Sequence, residues 1–359
     1  RFRKSTKFET VPMPTATPSC AFRAPSASVW CNQSPVVALR SSLVHDADEQ
    51  ASQLTGWNQQ YDQLSCGAFS GELLELHLPQ MQVFRERVNQ SVRQSCTLWS
   101  DALWLGLPDM SNMSAMADQA HIRINGRLNV GHDIMLRSGD EPFELLTPPA
   151  HSIFGVVVRQ QALQAAAERQ GSRIDWAGLQ QAHWLQAGGT SRARSQRLLQ
   201  AVLANAPVGL SPALQARHAQ ALQAELLDMV VGLLEHGIAD PGPRQSLAKR
   251  QRVVSQAREL VLARPDHAVT VPELCEQLHV SRRTLQYCFE DVLGLSPLQY
   301  LRAIRLNGAR RQLRQAALRQ QSVQDVAVNW GFWHFSQFAS DYRKLFGETP
   351  STTRKAGAH

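Results

Sequence analysis

Two stretches near the C-terminus carry polar side chains in an order suited to reading nucleobase edges. In the first, Ser281 can cap a helix, and Arg282, Arg283, Thr284, Gln286 and Tyr287 follow on the face away from Leu285, Phe289 and Val292. At the start of a helix lying in a major groove, Arg matches the two acceptors of guanine and Gln the acceptor–donor pair of adenine. In the second, His334 takes the cap position, and Phe335, Ser336, Gln337 and Ser340 fall opposite Phe338, Tyr342 and Leu345. An outward Phe335 would touch a thymine methyl or wedge against a base step. Turned inward, it would pack on the neighbouring helix, and both readings stay open. A cap position does not suit a catalytic base, so His334 is read with the DNA contacts.

The elements that must position these residues repeat one plan, from Thr270 to Gly294 and again from Ser322 to Gly347. Thr270 and Glu273 make a capping box that starts a short helix with Leu274 and Leu278 inward, and His279-Val280 turn the chain. Gly294 ends the helix that follows. Ser322 and Asp325 cap the corresponding helix of the second unit, with Val326 and Trp330 inward and Gly331-Phe332 as the turn. Between the units, Ser296-Pro297 opens a helix running to about Gln315. At ~1.5 Å per residue it is roughly 28 Å long, close to the ~34 Å that separates successive major grooves on one face of DNA. One protomer is therefore expected to read two adjacent grooves. Arg302, Arg310, Arg311 and Arg314 are its candidate phosphate contacts. Arg305 lies on the inward face and is read as structural, with Asp325 or Glu290 as its acid partner.

Charge follows the same division. From Lys249 onward there are 17 Lys and Arg against 9 Asp and Glu; the preceding residues hold 20 against 21. The basic excess sits on the duplicated segment, as phosphate binding requires. No apolar run approaches the ~20 residues that span a bilayer. The cysteines Cys20, Cys31, Cys66, Cys96, Cys275 and Cys288 form no C-x-x-C pair, which argues against structural zinc and suits a reducing cytosol. Cys275 and Cys288 read as small core residues.

Ahead of the basic segment the pattern changes twice. Residues 1–45 are rich in Ser, Pro and Ala and read as a disordered lead-in. The first residue is Arg1 rather than Met, which leads us to expect sequence upstream. Residues 46–158 alternate in short runs such as GELLELHL (71–78), MQVFRERV (81–88), SCTLWSDALWLGLP (95–108), HIRING (121–126) and SIFGVVV (152–158), the pattern of a β sandwich or barrel. Residues 159–240 turn helical. Leu214, His218, Leu222, Leu226, Met229 and Leu233 form a stripe that reads as core packing or as a dimer contact. DPGPRQS (240–246) marks a boundary before a DNA-binding domain at 249–355. His121, His132 and His151 are scattered with no H-x-H pair, which speaks against a metal-dependent enzyme; neither a P-loop nor a D-x-H-x-x-G motif occurs.

With these residues in place, 252–354 resembles the AraC/XylS family of transcription regulators, through VSRRTLQYCF, GLSPLQYLRAIRLNGAR and WGFWHFSQFASDYRKLFGETPS. Two departures stand out: Cys275 in place of a small Ala, and Thr353 in place of an aromatic, which should loosen the last helix. YDQLSCGAFSGELLEL, QVFRERVNQSVRQSC and the Trp99/Trp104 pair resemble the branch that regulates ethanolamine utilisation. The resemblance implies an α+β chain: an N-terminal cupin-like or jelly-roll β domain with a helical dimerisation segment, then an all-α domain with two helix-turn-helix units. It implies no enzyme. It implies a cytoplasmic, homodimeric, effector-dependent activator whose partners are operator DNA, RNA polymerase and a small effector. Ethanolamine and adenosylcobalamin are the co-inducers of that branch; another amine, an amino acid or an aromatic compound is the alternative within the family. The effector pocket then belongs in the β domain, with Arg85, Glu86, Trp99 and Trp104 as candidate linings and plain core as the other reading of both Trp residues.

Overall fold

The structure, a computed structural model, describes residues 38–109, 122–129, 133–139, 141–205, 212–240, 245–316 and 320–357. Expectations on residues 1–37, His121, His132 and the linker residues 241–244 lie outside it. An N-terminal β-sheet domain is followed by a C-terminal helical domain. The first comprises β1 (Ala38–Val44), α1 (Ala47–Ala51), β2 (Asn58–Gln63), β3 (Gly71–Leu78), β4 (Met81–Val88), β5 (Val92–Thr97), β6 (Ala102–Pro108), β7 (Arg123–Ile124), β8 (Arg127–Leu128), β9 (Ile134–Ser138), β10 (Phe143–Thr147) and β11 (His151–Arg159). Next come α2 (Gln160–Gln170), α3 (Trp176–Gln181), β12 (Trp184–Gln186), α4 (Gly189–Ala204), α5 (Pro212–His236) and β13 (Ile238–Ala239). The helical domain holds α6 (Gln245–Ala263), α7 (Val271–Gln277), α8 (Arg282–Leu293), α9 (Pro297–Ala316), α10 (Val323–Asn329), α11 (Phe335–Phe346) and α12 (Pro350–Ala356).

The strands form two sheets. Sheet A runs β1-β3-β4-β11-β6-β9-β12-β13 and sheet B runs β2-β5-β10-β7-β8. Their facing sides share one apolar core, including Leu73, Phe84 and Trp104 from A and Cys96, Phe143 and Leu145 from B. Gly155 lies opposite Phe84 in the register, and its missing side chain leaves room for the Phe84 ring. The other face of sheet A packs on α2, α4 and α5 through Val83, Leu105, Val156, Leu163, Leu199 and Leu226. The α5 stripe is thus core within this chain at Leu226 and Leu233, with Leu222 and Met229 packed beside them, while Leu214 stays exposed.

Two expectations need correction. The lead-in does not run to residue 45, because Ala38–Val44 pairs with β3 along its whole length. Alternation over so short a Ser-rich stretch is weak, and only the partner strand makes it a strand. The segment 159–240 is not purely helical either, since β12 and β13 extend sheet A through β9. Among the described residues no helix is long and apolar enough to cross a membrane.

His183, just before β12, is buried, and its backbone N–H donates to Asp240 (2.9 Å). Burial and then Arg137 push its imidazole down to about 4, with Asp240 opposing and Arg127 adding to the fall. Above pH ~6.5 it is neutral in both folded and unfolded chains. Between there and about pH 4 the unfolded chain takes the proton and the folded one does not, so stability drops as pH falls. The slope for this one group is about 1.4 kcal/mol per pH unit. Urea midpoints measured from pH 7 to 5 should fall more steeply for the native chain than for His183→Gln. Equal slopes would remove His183 from the acid response.

Candidate nucleic-acid interface

The first helix pair is α7 and α8. Thr270 Oγ1 accepts from the Glu273 N–H (3.4 Å), and the Glu273 carboxylate accepts from the Thr270 N–H (2.7 Å), the reciprocal cap expected. His279 carries the turn at φ +52°, and Ser281 caps α8 by accepting from the Thr284 N–H (3.0 Å). Leu285, Phe289, Val292 and Cys288 are buried. That seating turns Ser281, Arg282, Arg283, Thr284 and Tyr287 outward into solvent; Gln286 is half-buried and donates to Glu290 (2.6 Å). The Arg250 guanidinium from α6 lies over the Tyr287 ring at 5.5 Å.

The second pair, α10 and α11, follows the same construction. The Asp325 carboxylate accepts from the Ser322 N–H (2.8 Å) and Ser322 Oγ from the Asp325 N–H (3.1 Å). Gly331 turns the chain at φ +71°. Phe338, Tyr342 and Leu345 are buried, while His334, Phe335, Ser336, Gln337 and Ser340 are exposed. His334 stands at the cap without a side-chain capping bond. Phe335 is 40% exposed, which favours the outward of its two readings. The sequence reasoning missed Trp333, which is 63% exposed beside it. A Trp following an apolar turn reads as a core anchor, and only the packed Phe332 next to it shows that the anchor is already supplied.

Between the pairs, Ser296 and Gln299 cap α9 reciprocally, and the helix runs for 20 residues. Gly308 lets the Trp330 ring lie directly on α9, where any Cβ would collide with it. Thr353 does not loosen α12. It is buried, exchanges a hydrogen bond with the Tyr342 hydroxyl (2.8 Å) and donates to Glu348 (2.8 Å), replacing aromatic packing by polar pairing.

Of the four candidate phosphate contacts on α9, Arg310 and Arg311 are taken up by carboxylates of the chain itself, while Arg302 and Arg314 are ion-paired but 40% and 41% exposed. Arg310 is buried between Asp46 and Glu348 (both 2.7 Å), and Arg311 pairs with Asp48 (2.7 Å) and Asp62 (2.6 Å). Arg314 pairs with Asp46 (2.7 Å) and Arg302 with Asp341. Burial works against both guanidinium charges, yet Tyr342, Asp46 and Glu348 beside Arg310, and Asp62 and Asp48 beside Arg311, hold their pKa values above the usual range. Asp46, Asp48 and Asp62 of the β-sheet domain cover Arg310, Arg311 and Arg314, whereas the partner of Arg302 lies on α11. Among the described residues, neither Asp325 nor Glu290 forms an ion pair with Arg305. Its guanidinium lies over the Phe332 ring at 5.3 Å, and its Nε donates to the Leu301 carbonyl (3.4 Å).

The candidate effector linings divide. Glu86 and Trp104 border a cavity between the sheets, together with Trp57, Phe84, Gln94 and Phe143. Trp104 stacks on Phe143 (5.3 Å) and meets Trp57 edge-on (5.8 Å). Glu86 accepts from Gln50 (2.9 Å) and Tyr61 (3.0 Å), and burial raises its pKa. The free space is about 10 Å³, roughly one water. Trp99 is core in the same cluster and does not border the cavity. Arg85 opens on the opposite face of sheet A, beside Ser41 and Glu72, because neighbours along a strand point to opposite sides. Among the described residues no group of His, Cys, Asp and Glu could hold a metal ion.

Residues 274–356 match the family described as "Helix-turn-helix domain". The chain is 34% identical over 99 residues to the "Probable thc operon regulatory protein" of Rhodococcus erythropolis, covering 28% of this chain and 30% of that protein. It is 29% identical over 142 residues to the "XylDLEGF operon transcriptional activator" of Pseudomonas putida, covering 40% and 42% respectively. The match therefore spans about a third to two fifths of these relatives. A solved transcriptional regulator with an AraC-type DNA-binding domain, from Chromobacterium violaceum, is 30% identical and covers 31% of this chain and 97% of that one, with a TM-score of 0.29. Residues 274–356 of this chain are thus similar to a helix-turn-helix domain, and the relatives that share this segment are described as operon regulators.

Proposed function

We propose that the chain is a cytoplasmic, effector-dependent transcription activator of a catabolic operon that binds DNA through two helix-turn-helix units, 270–294 and 322–347. One observation carries this reading: α8 and α11 both present exposed polar residues at their N-terminal ends while a shared spacer, α9, holds them from behind. On this reading Ser281, Arg282, Arg283, Thr284, Gln286 and Tyr287 meet one groove, and His334, Phe335, Ser336, Gln337 and Ser340 the next. Residues 38–158 form a cupin-like effector domain and 159–240 the dimerisation segment of a homodimer that engages RNA polymerase.

The effector we propose is a small amine, with ethanolamine first. Support comes from the aromatic walls of the cavity and the carboxyl of Glu86 at its edge, a pairing that attracts ammonium groups. The cavity must open to admit even so small a molecule. It does not fit a corrinoid. Calorimetry of the full chain with ethanolamine should give heat that Glu86→Gln removes; no heat with native chain ends the amine assignment and leaves the DNA reading intact.

The DNA reading is tested by selecting sites for the full chain from a random duplex pool and footprinting them. Two protected major-groove segments per subunit are expected. Arg283→Ala should then cost roughly 1–3 kcal/mol and relax preference at one base position. Uniform weakening on all sequences would make Arg283 a phosphate contact instead.

A further inference from the structure

Sheet B is a single layer with two different tasks on its two faces. Along β2, Gln59 and Tyr61 point toward the inter-sheet core while Asp62 points away; along β5, Gln94 and Cys96 point inward and Arg93 outward. The outward residues meet the DNA-binding domain. Asp62 accepts from Arg311 of α9 and lies 3.9 Å from Arg258 of α6, with Arg93 behind it at 3.4 Å. Leu64 and Leu146 pack into the core beneath α8.

Two strands near opposite ends of this sheet, β2 and β7, grip the two reading helices by their C-terminal carbonyls. Each α-helix leaves its last carbonyls without intrahelical partners. At the β2 edge, the Leu345 carbonyl at the end of α11 accepts from the Gln63 side chain (2.7 Å) and the Gly67 N–H (3.0 Å). Toward the other end, on β7 beside the edge strand β8, Arg123 donates to the Asp291 carbonyl near the end of α8 (2.6 Å). Asn307 of α9 meanwhile donates to the Gln63 carbonyl and accepts from its N–H (both 2.9 Å), filling the open edge of β2 as a strand would.

We propose that sheet B is a two-ended mount that sets the spacing of α8 and α11 by their C-terminal ends, with Asp62 of β2, and Asp46 and Asp48 of the α1 turn packed on β2, latching α9 to it. Three gaps between strands, from β2 to β7, at ~4.8 Å each put the two grips roughly 14 Å apart across the sheet. The mount leaves both N-terminal reading faces free. It also places one layer of backbone between the cavity and the DNA-binding domain, so a ligand that alters the inner face changes the support of both helices together. This regulatory inference rests on the DNA-binding reading above.

Hydrogen exchange of the full chain tests it through reciprocity, since two grips on one rigid layer must each feel the loss of the other. Arg123→Met removes the α8 grip only. The expected result is about tenfold faster exchange at residues 61–68 and 307–315, far from the substitution, with β11 unchanged. Asp62→Asn should likewise speed exchange at 123–128 and at the end of α8. Acceleration confined to the segments each substitution touches overturns the mount. If Asp62→Asn also accelerates β11, that variant has lost its fold and Arg123→Met decides alone. Binding of a random-sequence duplex is measured in parallel. No binding by the native chain would sink the DNA reading whatever the exchange result, whereas intact binding with purely local exchange sinks the mount alone.

Discussion

An Arg93→Met chain should be less stable than the native one by about 3–5 kcal/mol, the usual loss when one member of a buried charged pair is removed. Arg93 is only 1% exposed on β5, with Asp62 at 3.4 Å on one side and Glu144 on the other. Methionine keeps the bulk of the stem and removes the charge, so the effect reads electrostatics rather than a void. Glu144 is partly exposed and can turn to water, but Asp62 cannot. Asp62 is buried, which penalises its charge, yet Arg311, Arg93 and Arg258 together hold its pKa below the ordinary value. Its contribution is therefore present above the usual carboxylate range and is lost as pH falls through the lowered value. Urea unfolding at pH 7 provides the measurement; a loss under about 1 kcal/mol would mean that Arg311 and Arg258 suffice to neutralise Asp62.

Phe289→Ala carries the second large effect. The ring is fully buried at the centre of the core under α8 and meets Tyr300 of α9 edge-on at 5.7 Å. Truncating such a ring costs about 3–5 kcal/mol through lost transfer energy and the void that remains. Because Phe289 seats the helix that carries Arg282 and Arg283, duplex binding should fail as well, although the residue faces away from solvent. Native-like stability with weakened binding would instead assign Phe289 a direct role at the DNA. Tyr287, two residues earlier and exposed under Arg250, separates the cases: its loss should weaken binding and leave stability within about 0.5 kcal/mol.

The elements around the reading helices were legible because their signals are local. Capping boxes at Thr270 and Ser322, the glycine ends at Gly294 and Gly347 and the Pro297 start all act within a few residues, and each stands where its spacing implied. The same holds for β3 and β4, whose bounds coincide with GELLELHL and MQVFRERV. The candidate linings were less legible. Glu86 and Arg85 are neighbours in sequence, and alternation says that they face opposite sides without saying which side is the core.

What the sequence determined by itself was the paired helices, their order and the polar faces they offer, since period and caps are properties of a dozen residues. Only the tertiary structure decided the partners of the α9 arginines, the joining of Ala38–Val44 to sheet A and the exposure of Trp333. Asp46 and Arg310 lie 264 positions apart and meet at 2.7 Å. No periodicity encodes such a meeting, because a charged side chain on a helix surface looks the same whether it will face phosphate, water or a carboxylate on another domain. Which of these it meets depends on the surface that folds against it.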